Sequence, residues 1–285
     1  MDKYQDKTEL IPGQSVKWQV EYFDKIDSTN SYLAIKARSG EPEGLVAVAN
    51  YQTSGHGRLN RPWVAEQGSS LLMSMLLEPK VEITNSHVVV MVLSLAVVDS
   101  VHELYGAKLS IKWPNDIVES SGPGEPPGRK LGGILSEVVF PEVITHSYSS
   151  QADNNAKKYK LVIGLGLNLI WDSEALHQLE FGQRACSLNE LVTVSIDRDQ
   201  LMSKILEKFD CRYADLGPSN SPKEILSDYR LRCDTVGRRV AIESQNGSVE
   251  GVVLDIDDTG ELLVDVGACI SRVSVGDVIE FYKVN

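Results

Sequence analysis

The stretch Tyr51-Gln52-Thr53-Ser54-Gly55-His56-Gly57-Arg58-Leu59-Asn60-Arg61-Pro62-Trp63 lies between two apolar runs, Gly44 to Tyr51 and Ser69 to Leu77. Each run has the length and the β-branched or aliphatic content of a buried strand. The loop that joins them, 52–68, is longer than a strand connection needs, which marks it for function. Gly55 and Gly57 let a backbone close tightly over a ligand, and Arg58 and Arg61 carry the planar fork that grips phosphate oxygens. The spacing excludes two common phosphate loops: Asn60 stands where the third glycine of GxGxxG belongs, and no Gly-Lys-Ser/Thr follows. Taken alone, a Gly-x-Gly-Arg loop is more often an ordinary surface connection, so its neighbours have to decide.

On the amino-terminal side, residues 1–15 are polar with Pro12 and Gly13 and read as a flexible leader. Trp18 to Ile26 alternates as a strand. Asp27 or Ser28 then caps a helix that runs to about Arg38 and stops at Gly40, which puts Ser28-Thr29-Asn30 at a helix amino terminus. On the other side a helix spans about Ser86 to Tyr105. Its apolar core, Val88 to Val98, is shorter than the roughly 17 to 25 residues of a membrane span and reads as a buried helix.

A strand enters Lys112-Trp113-Pro114-Asn115-Asp116, a flexible insertion occupies 120–128, and strands follow at Lys130 to Phe140 and Tyr159 to Ile170 around a second polar insertion, 146–158. Ser221-Pro222-Lys223-Glu224 reads as a capping box opening a helix. From about Leu231 the pattern becomes short alternating strands broken at Asn246-Gly247, Thr259-Gly260, Gly267 and Gly276-Asp277, the hairpin chemistry of a small barrel. The expected organisation is a leader over 1–15, a catalytic α+β domain over 16–230 and a barrel over 231–285.

Composition narrows the partners. Acidic residues outnumber basic ones, 40 against 28, and a formal charge of -12 repels both the phosphate backbone of nucleic acid and an anionic bilayer. The expectation is no sequence-specific DNA binding and no membrane association. The four cysteines lack metal-type pairing and the amino terminus lacks a secretory layout, so the expected setting is reducing and cytoplasmic.

Three further constellations carry chemistry. In Lys112-Trp113-Pro114-Asn115-Asp116 a rigid proline presents an amide and a carboxylate at a strand end. The Asn115 amide both donates and accepts, as an adenine edge requires, and Asp116 is a candidate Mg²⁺ ligand, although the same residues also make a good turn. In Arg129-Lys130-Leu131-Gly132-Gly133-Ile134 an ammonium stands ahead of two glycines, where it can neutralise a phosphate and a carboxylate while they react. Gly164-Leu165-Gly166-Leu167-Asn168 is a strand whose glycines admit a ligand or a neighbouring backbone.

Taken in order, STN, YQTSGHGR..RPW, KWPND, RKLGGILSE and GLGLN closely resemble the catalytic domain of biotin–protein ligases, over roughly Tyr22 to Ile170. The resemblance implies a mixed, largely antiparallel sheet with flanking helices, related to class II aminoacyl-tRNA synthetases and followed by an SH3-like barrel. It implies a cytoplasmic ligase that uses ATP and Mg²⁺ to convert biotin to biotinyl-5'-AMP, and then biotinylates a lysine on the biotin carboxyl carrier domain of a carboxylase. Carried onto matching positions, Ser28, Thr29 and Gln52, with His56 and the backbone of Gly133, are implied to hold biotin. Arg58, Arg61, Trp63, Asn115, Lys130 and Asn168 are implied to hold ATP or the adenylate. Arg58, Lys130 and Asp116 are the implied catalytic groups.

One departure stands out: His56 occupies a place usually held by arginine in this family, and a mostly neutral imidazole cannot fork onto phosphate. The two insertions exceed what the resemblance calls for. Because only 27 residues precede Ser28, no amino-terminal helix-turn-helix repressor domain is expected. Two rival readings are a lipoate ligase or octanoyltransferase on the same fold, and an inactive carrier-binding module. The polar trio Ser28, Thr29 and Gln52 argues against the first, and the retained Lys130 and arginines argue against the second.

Overall fold

The computed structural model describes residues 8–122, 125–141, 159–172, 174, 176, 184–217, 222–244, 247–274 and 276–281. The insertion at 146–158 falls outside them.

Eight strands form one sheet: β1 (Thr8–Pro12), β2 (Lys17–Ile26), β3 (Leu45–Gln52), β4 (Ser70–Leu77), β5 (Leu109–Lys112), β6 (Asp116–Glu119), β7 (Lys130–Val139) and β8 (Lys160–Asn168). Their spatial order is β1-β2-β3-β4-β8-β7-β6-β5. β2 and β3 run parallel, with α1 (Thr29–Arg38) as their crossover, and the other neighbours run antiparallel. This is the mixed, largely antiparallel α+β sheet expected from the resemblance.

Period-2 alternation sorts the side chains onto two faces. Leu45, Ala47, Leu76 and Val162 meet Leu33 and Ala37 of α1 on one face. Val46, Val48, Leu71, Met73 and Met75 meet α2 (His87–Tyr105) and α4 (Arg198–Tyr213) on the other. Val88 to Val98 of α2 are all buried, so this helix, though long and apolar, is the core helix of the second face. A short α3 (Leu188–Leu191) and α5 (Lys223–Arg232) complete the helical set described.

Two readings need correction. Thr8–Pro12, taken as leader, is an edge strand paired with Lys17 to Glu21, with Glu9 and Ile11 half-buried between exposed Thr8, Leu10 and Pro12. Lys112 to Asp116, read as a strand end whose residues also make a good turn, is such a turn: the chain reverses there, joining β5 to β6 as a hairpin. At 221–224 the N-cap position of α5 is Pro222, which offers no side-chain acceptor, and Ser221 is outside the described residues. The described part of the 120–128 insertion is also less free than its composition implies, since Arg238 donates to Ser121 Oγ and to the Glu125 carbonyl.

The remaining strands, β9 (Arg239–Ser244), β10 (Gly247–Ile256), β11 (Leu262–Asp265), β12 (Ile270–Val273) and β13 (Asp277–Phe281), make an antiparallel SH3-like sheet in the order β12-β11-β10-β9-β13. It is fastened under the β5–β6 turn. Trp113 Nε1 donates to the Gly260 carbonyl at 3.1 Å, the Trp113 amide donates to Thr235 Oγ1, and His87 Nε2 lies 2.7 Å from the Thr259 carbonyl oxygen.

Candidate active site

A cavity of about 400 Å³ opens at the ends of β3, β4, β7 and β8. Every residue singled out from the sequence lines it: Ser28, Thr29, Gln52, His56, Arg58, Arg61, Trp63, Asn115, Asp116, Lys130, Gly133 and Asn168.

One end is built on the start of α1. Ser28 is the N-cap in extended conformation, its hydroxyl accepting from the Ser31 amide, and this turns Thr29 toward β3. Gln52, the last residue of β3, receives the Thr29 amide at 2.7 Å and the Thr29 hydroxyl at 3.0 Å on Oε1. Ser28, Thr29 and Asn30 are nearly inaccessible to water, so their polar atoms must be satisfied by one another or by a ligand.

The other end is charged. Lys130 opens β7, and its main chain is pinned because Cys186 donates to its carbonyl at 2.8 Å. The preceding Arg129 is clamped between Glu119 at 2.9 Å and Glu190 at 2.7 Å, and Glu119 drives its guanidinium pKa further up. The Lys130 ammonium lies 2.7 Å from Asp116 Oδ1 and 5.8 Å from the centroid of the Trp63 ring. A Cβ at Gly133 would stand 3.3 Å from Lys130 Nζ, so the glycine leaves that ammonium its place.

Between the ends, the loop 53–68 is better held than two glycines and few apolar side chains suggest. His56 and Pro62 form an isolated bridge, the Trp63 amide donates to the Gly55 carbonyl, and Arg58–Asn60 makes one 3-10 turn. Arg58 donates to Asn115 Oδ1 at 3.2 Å and to the Gly276 carbonyl at 3.1 Å, while Arg61 pairs with Asp277. The Trp63 indole lies flat on β8: a Cβ on Gly166 would fall 2.5 Å from Cε2, so only glycine accommodates the ring. Among the described residues no acceptor meets the buried Trp63 Nε1.

Two asparagines are already engaged. Asn115 donates to the Ile134 carbonyl at 2.7 Å while accepting from Arg58, and Asn168 donates to the Cys186 carbonyl at 3.1 Å. Among the described residues no cluster of three His, Cys, Asp or Glu side chains is suited to a metal. Asp116, as a single carboxylate beside an ammonium, fits a cation that arrives on a phosphate chain, because Mg²⁺ commonly takes one or two protein carboxylates and completes its shell with phosphate and water.

Polar lining residues that sequence reading gave no site role include Asn30, Ser74 and Asp277. A serine inside the apolar run of β4 was a usable signal for Ser74. Nothing local marks Asp277, which reaches the loop from the barrel.

Comparison with known proteins follows the same division of the chain. Residues 22–155 match the model of the biotin/lipoate A/B protein ligase family, and residues 235–279 match that of the biotin protein ligase C terminal domain. The chain is 32% identical to the biotin--[acetyl-CoA-carboxylase] ligase of Mycobacterium tuberculosis, over 98% of this chain and 95% of that protein. It is 30% identical to the bifunctional ligase/repressor BirA of Bacillus spizizenii, over 95% of this chain and 75% of that one. A solved biotin protein ligase from Aquifex aeolicus, in complex with biotin and ATP, superposes with a TM-score of 0.73 at 23% identity, covering 93% of this chain and 99% of the other.

Proposed function

The chain belongs to the biotin/lipoate A/B protein ligase family, and from that membership and its cavity we infer that it is a biotin–protein ligase. It activates biotin with ATP to biotinyl-5'-AMP and transfers the biotinyl group to a lysine of a carboxylase carrier domain. The observation that carries the reading is the convergence of Gln52, Arg58, Lys130 and Asn168 on one cavity with a neutral polar end and a cationic end.

The chemistry divides along that axis. A cyclic urea offers N–H donors beside a carbonyl acceptor, which suits the hydroxyls and amide of Ser28, Thr29 and Gln52. The biotin carboxylate then points toward Lys130, where it attacks the α-phosphorus of MgATP and expels pyrophosphate. A carboxylate is a poor acyl donor, and the mixed anhydride supplies AMP as leaving group when the carrier lysine attacks. We assign Lys130 and Arg58 to the charge that builds on the α-phosphate, Arg61 to the phosphate chain, and Trp63 to the adenine face. Asn115 acts in part by holding Arg58, and Asn168 closes the adenine side. Asp116 orients the Lys130 ammonium and is the carboxylate available to the incoming cation. Side-by-side binding of the two reactants can remove roughly 7 to 11 kcal/mol of barrier.

The fit to a ureido ring also sets this site apart from that of a lipoate ligase, whose dithiolane would leave the buried donors and acceptors around Thr29 unmatched. We place residues 8–230 in the catalytic unit and 231–285 in the barrel, and we place the reaction in the cytoplasm, where Cys186, Cys211, Cys233 and Cys269 remain free thiols. The deciding experiment is biotin-dependent exchange of labelled pyrophosphate into ATP. Exchange driven by lipoate or octanoate and absent with biotin would reject the assignment.

A further inference from the structure

Behind the neutral end of the cavity runs a continuous hydrogen-bonded chain that starts at Glu137, a β7 residue that does not line the cavity. Asn30 Nδ2 donates to Glu137 Oε2 at 2.7 Å. Since a carboxylate only accepts, this contact fixes which way the Asn30 amide faces. Its Oδ1 is thereby turned to Ser74, whose hydroxyl donates to it at 2.6 Å. With its proton spent there, Ser74 Oγ can only accept from Thr29 Oγ1, 2.7 Å away. The one Thr29 proton is therefore spent on the wall, shared between Ser74 Oγ and Gln52 Oε1, and a Thr29 lone pair is left for the cavity. Gln52 Oε1 is occupied by Thr29, so the atom Gln52 has left to offer is Nε2, a donor.

Burial and backbone both support the chain as a built feature. Thr29, Asn30 and Ser74 are 3%, 5% and 0% exposed, so water does not scramble their roles. A Cβ at Gly164 would fall 2.2 Å from Asn30 Oδ1, so β8 carries a glycine where the amide must sit.

We propose that Glu137 is a specificity-determining positioning residue: acting through Asn30 and Ser74, it sets the polarity of the wall so that Thr29 accepts in the cavity, beside the Gln52 amide that the Thr29 main chain turns to donate, the complement of a ureido N–H beside a ureido carbonyl. The proposal rests on the reading of the site as a biotin pocket. It concerns the head group alone and predicts no effect on ATP.

The test compares the full-length wild type with Glu137→Met, Glu137→Gln and Ser74→Ala in biotin-dependent pyrophosphate exchange, using biotin and a cyclic-carbamate analogue in which one ureido N–H is replaced by oxygen. Glu137→Met should raise KM for biotin about tenfold, leave KM for ATP unchanged within about twofold, and erase most of the preference for biotin over the carbamate. Glu137→Gln, which can turn its own carbonyl to Asn30, should recover most of the biotin KM. Ser74→Ala breaks the chain at its middle and should reproduce the loss of preference even where Glu137→Met folds poorly. Equal weakening of biotin and carbamate, or an unchanged biotin KM in both Glu137→Met and Ser74→Ala, overturns the proposal. Absence of biotin-dependent exchange in the wild type removes the functional reading and the proposal with it, whereas normal wild-type exchange with an unmoved preference removes the proposal alone.

Discussion

Asp277, at the first position of β13, holds Arg61 in an ion pair and stands 3.6 Å from Arg58, although more than 200 residues separate it from either arginine along the chain. A carboxylate of the barrel thus sits beside both guanidinium groups proposed to face the phosphates, and on that assignment an incoming triphosphate has to replace it. The pair is partly exposed, so the competition is modest, about 1 kcal/mol at most. Asp277→Asn should lower KM for ATP by up to about fivefold, and the difference should shrink as salt is raised. A KM for ATP that rises would show that Asp277 supports nucleotide binding.

Lys130 and Arg58 should report on different things. Lys130→Met removes charge at the reacting centre and should slow pyrophosphate exchange by roughly 100- to 1000-fold, with KM for biotin little changed. Arg58→Ala loses one charge-assisted contact worth about 1.5 to 3 kcal/mol, so adenylation should slow, or the intermediate escape faster, by about ten- to a hundred-fold. Equal adenylate retention by Arg58→Ala and the wild type, measured by rapid filtration alongside unchanged exchange, would take Arg58 out of the site.

Gly166→Ala tests the placement of Trp63. The new methyl would overlap the indole, with contacts as short as 2.5 Å to the ring, so the ring must leave β8. The expected result is a several-fold rise in KM for ATP and a changed tryptophan emission, with KM for biotin held. Retention of both the emission and the KM would mean that Trp63 does not lie on this strand in solution.

Much of this arrangement was legible in the chain because short-range chemistry encodes it. Ser28 caps α1, Gly106 ends α2, and the apolar strands declare themselves by composition. All twelve anticipated site residues reach one cavity. What escaped was set by distant partners: Thr8–Pro12 becomes a strand only because Lys17 to Glu21 pairs with it, and Asp277 acquires meaning only through Arg58 and Arg61.

The cysteines give a pH-dependent prediction. Burial pushes the Cys186 thiol up to about 12 and the Cys233 thiol up to about 11. The native state therefore keeps these protons when the unfolded chain releases them near the ordinary thiol value of 9.0. Stability from this source is intact below that value and declines as pH rises from there through the two shifted values. Urea midpoints should hold to about pH 8 and fall by about pH 10.5. A thiol reagent at neutral pH should modify Cys211 and Cys269 readily and spare the buried pair until the protein unfolds.

The Trp113 indole spends its single N–H on the Gly260 carbonyl, and the turn it anchors carries Asn115, which in turn steadies Arg58. Excising the terminal module would strand that donor in a desolvated niche and leave Arg58 without the Gly276 oxygen. The two halves are consequently not interchangeable parts. A swap of the barrel between relatives should preserve turnover only when the segment equivalent to Thr259-Gly260 travels with a matching tryptophan.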